Sequence, residues 1–143
     1  MNMYYKSVGH NSTLIMGITP GPDGLIPEPD VISMKEWGDE IRKQFGNPVA
    51  QTNGRGNRIK LDLEKPSLIS RIVIQEDIVK GERVRDFVVE GFFDGRWMQI
   101  ADGFCIGHKR IQILEKPMTL EKIRLKITNS ITEPLIKNIS VYK

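Results

Sequence analysis

Cys105 is the only cysteine in this chain of 143 residues, so no intrachain disulfide can form and a cysteine-based zinc site is excluded. It lies in the apolar-looking strand Phe104-Cys105-Ile106 and reads as a small packed hydrophobe, because burial suppresses the thiolate that reactivity needs. Histidine is nearly as scarce, with His10 and His108 alone. Long apolar runs are missing too: Ser12 to Ile18 is typical of the longest, far short of the roughly 20 residues that cross a bilayer. No membrane span or membrane partner is expected. Met1 to Lys6 holds no apolar stretch of secretory-signal length, so no address can be read there. Aromatic residues make up only 7%, a thin supply for platforms that stack on sugars. A Gly-rich phosphate loop, an HExxH pair and an acidic calcium loop are all lacking. Nucleotide, zinc and EF-hand chemistry therefore lack support, and neither cofactor nor metal is expected.

What is present, 39% hydrophobic and 27% charged residues, fits a soluble globular chain of one domain, or one domain with an appendage. The net charge of +3 is unevenly spread. Residues 1–46 carry 4 Lys/Arg against 6 Asp/Glu, and residues 47–143 carry 17 against 12. The basic excess falls on alternate strand positions beside carboxylates, which reads as a solvated face rather than a polyanion surface. Nucleic acid is not an expected partner.

The chain changes character near Gly46. Ser12-Thr13-Leu14-Ile15-Met16-Gly17-Ile18 is continuously apolar rather than alternating, as for a parallel strand covered on both faces. Thr19 to Gly24 is a Pro/Gly loop, extended by Pro27 and Pro29. Asp30 to Phe45 reads as a helix, with Met34, Trp37, Ile41 and Phe45 on one face, Arg42 and Lys43 late, and Gly46 as its cap. Asn47 to Asn57 reads as a linker.

From Arg58 the pattern alternates with a period of two. Ile59, Leu61 and Leu63 point one way, and the period recurs in Lys122 to Ile127 and Ile139 to Val141. It is looser in Arg71 to Ile74 and Phe87 to Glu90, and Arg110 to Ile113 adds another such segment. Glu64-Lys65-Pro66, Lys80-Gly81-Glu82, Asp102-Gly103 and Glu115-Lys116-Pro117 punctuate it as turns. Asp94-Gly95 is the strongest hairpin signal, since a type I′ turn needs positive φ at both central positions. Seven or eight short strands, each with one apolar face, predict an antiparallel β-sandwich of jelly-roll or Greek-key connection. The expected organisation is a strand, loop and helix over 1–46 and a sandwich over 47–143.

Lys6-Ser7-Val8-Gly9-His10-Asn11-Ser12-Thr13-Leu14-Ile15-Met16-Gly17-Ile18-Thr19-Pro20, followed by Asp23-Gly24-Leu25-Ile26-Pro27, resembles the last strand and loop of the catalytic (β/α) barrel of family 29 α-L-fucosidases. That family has an S-x-N-G-N-L-L-L-N-I-x-P run, then D-G and a helix. Met16-Gly17 stands here where the family usually reads Leu-Asn. The stretches Leu61 to Leu63, Gln75 to Ile78, Gly81 to Val84, Phe87 to Glu90, Asp94 to Trp97 and Gly103 to Ile111 resemble the discoidin-type, galactose-binding-like domain that follows the barrel.

The resemblance implies an accessory domain of an enzyme hydrolysing α-L-fucosyl linkages, stabilising it or binding glycan. A rival reading is a subunit that completes an active fucosidase with another polypeptide, and a third is a purely structural sandwich. Implied partners are a fucosylated oligosaccharide and the rest of the barrel; an extracytoplasmic parent enzyme fits. Retaining glycosidases need two carboxylates about 5 to 5.5 Å apart. By the resemblance the Asp nucleophile and the histidines around fucose come from earlier barrel strands, upstream of Met1, so no catalytic residue is assigned here.

Glu76, Asp77 and Glu82 beside Lys80, Arg83 and Arg85 read as a salt-bridged surface. His108-Lys109-Arg110 is expected to pair with Glu76 or Asp77 across strands, or to offer donors to a sugar. For sugar stacking the candidates are Phe92, Phe93, Trp97, Phe104 and Tyr142, with Phe92 and Arg96 at the hairpin tip the best exposed and Trp97 expected in the core. The candidate carbohydrate-binding set is Phe92, Arg96, Trp97, His108 and Arg110.

Overall fold

A computed structural model describes residues 1–143. Two helices, α1 (Asn2–Lys6) and α2 (Glu28–Phe45), precede six strands: β1 (Ala50–Arg55), β2 (Arg58–Glu76), β3 (Val84–Phe93), β4 (Arg96–Phe104), β5 (Arg110–Ser130) and β6 (Leu135–Tyr142). A single 3₁₀ turn, Ile78–Lys80, links β2 to β3. The strands form one antiparallel sheet in the order β1-β6-β2-β5-β3-β4.

The sheet curls over on itself because β2 and β5 serve both layers. Residues 71–76 of β2 pair with β6, and 71–74 also pair with 110–113 of β5. Earlier in β2, residues 58–62 pair with 122–126, whose other side carries β3. Ile59, Leu61, Phe87, Ile123 and Leu125 from one layer meet Ile72, Ile74, Ile139 and Val141 from the other in a single buried core. The layers are thus those of the expected sandwich.

The strand count differs, six against seven or eight, for a physical reason. Glu64-Lys65-Pro66 and Glu115-Lys116-Pro117 are bulged corners rather than turns. The register passes from Asp62↔Lys122 to Ser67↔Leu120, then from Ile69↔Met118 to Arg71↔Ile113. Residues 63–66 and 114–117 are the extra residues, and proline, which cannot donate to a ladder, is tolerated at such a bulge. Asp94 and Gly95 close the β3–β4 hairpin at φ 51° and 73°, the left-handed pair required of the turn.

Outside the sandwich, α2 runs from Glu28, two residues earlier than the periodicity predicts. Trp37, Ile41 and Phe45 pack with α1 residues against Tyr4, Val73, Ile111 and Tyr142. Edge-to-face rings hold this join, Tyr4 with Trp37 at 6.1 Å and Phe45 with Tyr142 at 5.4 Å.

Ser12–Ile18 makes no strand in this chain. A parallel strand of that kind needs a hydrogen-bonded partner strand at its edge and packing on both faces. The nearest free edge, that of β5, is taken by the preceding residues, where His10 bridges Arg110. Asn11, at φ 64°, then turns the chain away. Ile15 is left 87% exposed, and Leu25, Ile26, Val31 and Ile32 are exposed beyond it.

Candidate functional site

The β3–β4 hairpin and its neighbours build one polar, aromatic face outside the core. Cross-strand register sets its rows: Trp97, Phe92, Lys122 and Asp62 form one, Gln99, Glu90, Arg124 and Lys60 the next, and Asp102, Val88, Lys126 and Arg58 a third. Because side chains alternate along a strand, Phe93 turns inward, where it packs on the core, while Phe92 and Trp97 turn outward.

Trp97 therefore lies on the outer face, not in the core as expected from sequence, and it is half-buried there. The Arg124 guanidinium sits 4.2 Å from its ring centroid, and Phe92 leans on it at 5.2 Å. Lys122 lies 5.6 Å from the Phe92 ring. Glu90 ties the cations together, with Arg124 Nε at 2.5 Å and Lys126 Nζ at 3.6 Å. Burial works to raise the Glu90 pKa, but the hydrogen bond and charge of Arg124, joined by Lys126, outweigh it and hold the carboxyl below its ordinary value. One face of the indole is thus already covered by a cation–π contact. Arg96, at the turn, is exposed.

His108 and Arg110 belong to a different region. Trp97 and Phe104 lie seven residues apart on β4, which is about 23 Å of strand at ~3.3 Å per residue. Arg110 packs over the Phe104 ring at 5.9 Å; burial lowers its pKa, and its Nε has no partner. His108 is exposed. The structure therefore brings Phe92, Arg96 and Trp97 together and leaves His108 and Arg110 apart from them. Phe104 is 69% exposed, and β4 ends there. Cys105 is half-buried at φ 52° in the turn that follows.

Neither His108 nor Arg110 pairs with Glu76 or Asp77, and Glu76, Asp77 and Glu82 form no salt bridge. Glu76 is 3% exposed. Its Oε1 accepts from the backbone N–H groups of Arg83 (2.9 Å) and Val84 (3.1 Å), and its Oε2 from that of Gly107 (2.8 Å). The carboxylate works as an internal staple between the 3₁₀ loop and the β4–β5 loop. Alternation does indicate burial, since Ile72, Ile74 and Glu76 share a face; the charge of the residue hid that signal.

A polar groove of ≈ 340 Å³ is bordered by Asn53, Arg55, Asp77, Lys80 and Lys137. Sequence reasoning missed it, because β1, the 3₁₀ turn and β6 meet only in the folded chain. A second, apolar cleft of ≈ 260 Å³ gathers Met1, Met3, Met16, Met34 and Trp37. It lies at the exposed apolar surface of residues 12–34. No three His, Cys, Asp or Glu side chains gather as a metal-binding group, and no helix is long and apolar enough to cross a membrane.

No protein-family model matches the chain. Over 99% of its length it is 27% identical to a proposed α-L-fucosidase 1 of Oryza sativa subsp. japonica and 25% identical to α-L-fucosidase 1 of Arabidopsis thaliana. It spans about a third of each, 34% and 35%. Among solved structures, a proposed α-L-fucosidase of Bacteroides thetaiotaomicron VPI-5482 superposes with a TM-score of 0.96 at 41% identity, over 99% of this chain and 33% of that one. A glycoside hydrolase 29 family member from an unknown rumen bacterium gives 0.84 at 32% identity, over 99% of this chain and 27% of that one. The family 32 carbohydrate-binding module of Clostridium perfringens NanJ, solved with galactose, gives 0.56 at 15% identity, over 69% of this chain and 80% of that one. That last likeness concerns the fold alone.

Proposed function

This chain matches the α-L-fucosidases of glycoside hydrolase family 29 over its whole length, and on that premise we propose that it is the accessory end of such an enzyme. In this reading residues 1–46 are the last piece of the catalytic barrel and residues 47–143 are the sandwich that braces it. The observation that carries the proposal is the uncovered apolar surface. Ile15, Met16, Ile18, Leu25, Ile26, Val31 and Ile32 are all exposed beside a methionine-lined cleft. A patch of that kind marks an interface, and the occupant proposed for it is the rest of a catalytic barrel, carried in the part of the relatives that this chain does not span.

Two features support this occupant over a chance partner. The chain accounts for only 33% of the Bacteroides protein, and it superposes on that protein along 99% of its own length, residues 12–34 included. The path these residues take is therefore shared with a longer chain. Methionines suit the seat, being flexible enough to fit a surface they meet on assembly.

Catalysis is not this chain's part. A barrel site draws its groups from the ends of several strands, and residues 12–18 supply one. The purified chain is expected to leave an aryl α-L-fucoside intact and to self-associate through residues 12–34, as seen by light scattering. Ile15→Lys with Leu25→Lys should return it to a monomer. Turnover by the chain alone, or a clean monomer without those changes, would contradict the reading.

A second role, glycan binding, is favoured by the polar groove at Asn53, Arg55, Asp77, Lys80 and Lys137 rather than by Trp97, whose face Arg124 covers. Asp77 and Asn53 offer acceptors to sugar hydroxyls, and the three cations favour a carboxylated or sulfated residue. Titration with neutral and acidic oligosaccharides, against Lys80→Ala and Lys137→Ala, tests it. Binding that both changes leave intact would place the glycan elsewhere.

A further inference from the structure

We propose that Asn11 is a positioning residue, clamped by the sandwich so as to set the register at which Ser12–Ile18 enters the catalytic barrel. The inference rests on residues 12–18 being a barrel strand and goes beyond it by naming what fixes that strand.

Every hydrogen-bonding end of Asn11 but its carbonyl is taken. Its backbone N–H donates to the Lys109 carbonyl at 2.9 Å, and the Gly9 carbonyl accepts from the Ile111 N–H at 2.9 Å, which lays residues 9–11 along the free edge of β5. Its side-chain Oδ1 accepts from the His108 N–H at 2.6 Å, and its Nδ2 donates to Glu82 Oε1 at 2.9 Å. An amide is the side chain with one acceptor and one donor end for these two opposed demands. The backbone is left-handed, φ 64°, a region that asparagine tolerates better than most residues.

The receptacle is held by contacts that do not involve the asparagine. Gly107, at φ 57°, lies so close beneath the amide that a Cβ there would fall 2.1 to 2.3 Å from its atoms. The Gly107 N–H is held by Glu76, the same carboxylate that holds Arg83 and Val84 next to Glu82. One buried staple thus fixes both loops that grip Asn11. Register matters for the segment that follows, because a slip of one residue exchanges the two faces of a strand. Asn11 is the last residue paired with the sandwich before Ser12.

The test uses a full-length polypeptide in which this chain follows its barrel, assayed on an aryl α-L-fucoside. Asn11→Asp keeps the size and the backbone tolerance but sets a carboxylate against Glu82. It should lower kcat/KM at pH 7 by about tenfold, within the range that small misplacements cost, and adding Glu82→Gln, which again offers a donor, should restore most of it. In the isolated chain the same Asn11→Asp change should speed amide exchange at Asn11 and Ile111, with Glu82→Gln slowing it again. If the unaltered enzyme is inactive on the fucoside, the fucosidase reading fails and the exchange measurement still decides the clamp. Unchanged exchange, or unchanged kcat/KM in an active enzyme, overturns the proposal.

Discussion

Replacing Glu76 with glutamine keeps the shape of the side chain and removes one acceptor from a site that needs two. Three backbone N–H groups converge on the carboxylate at 2.8 to 3.1 Å, the side chain is 3% exposed, and no ion pair of the chain includes it. N–H dipoles alone meet its charge. In either orientation a glutamine amide turns its NH₂ toward at least one buried N–H. At least one charge-assisted bond, worth ~1.5–3 kcal/mol, is lost and one donor is orphaned at a cost of ~1–3 kcal/mol. These overlap, and about 3 kcal/mol is the expected loss for Glu76→Gln; alanine, orphaning all three donors, should cost about 5 kcal/mol. For a chain of this size 3 kcal/mol lowers Tm by about 10 °C. Thermal and urea unfolding followed by circular dichroism read the effect. Asp77→Asn is the control: that side chain makes no hydrogen bond or ion pair in the folded chain and should change stability by less than ~0.5 kcal/mol. A Glu76→Gln protein melting within about 2 °C of the parent would refute the staple.

Two further outcomes follow from the outer face. Glu90 has a depressed pKa in the folded chain, so its contribution is present above the ordinary carboxylate pKa of about 4.3 and is lost as pH falls through the lower folded value. Stability should therefore be level from neutral pH to about 5 and decline below it, and Glu90→Gln should flatten that decline; an unaltered acid limb would show that Arg124 and Lys126 do not hold the group. Trp97→Ala removes a half-buried indole from between Phe92 and Arg124 and should cost about 2 kcal/mol in urea unfolding, roughly half the cost of emptying a core aromatic site. A change under ~0.5 kcal/mol would mean that the stack is incidental.

Local pattern made much of the fold legible. The helix face of Trp37, Ile41 and Phe45, the Asp94-Gly95 hairpin, and the inward sets Ile59/Leu61 and Ile123/Leu125/Ile127 all depend on spacing within a few residues, and all are found. What was not legible depends on residues far apart in sequence. Pro66 and Pro117 look like turns because proline usually ends strands, yet opposed bulges let β2 and β5 run on through the corner. Glu76 looks like surface because carboxylates usually are, and its donors come from positions 83, 84 and 107. Trp97 looks like core because the fold above it is unseen in sequence; one misjudged face displaced it. Asn11 carries no local sign of its clamp, since Glu82 and His108 lie 71 and 97 residues away. The candidate sugar-binding set also spans distant positions: Phe92, Arg96 and Trp97 lie at the β3–β4 turn, while His108 and Arg110 lie past the far end of β4.

Reconstitution tests the proposal that this chain completes a fucosidase barrel through residues 12–34. The remaining two-thirds of the Bacteroides relative, prepared without its own matching third, would be mixed with this chain and assayed on an aryl α-L-fucoside. A complex is expected by size-exclusion chromatography, with turnover that neither piece shows alone and that Ile15→Lys with Leu25→Lys abolishes. No complex and no gain in turnover, from two pieces that are each folded by circular dichroism, would contradict it.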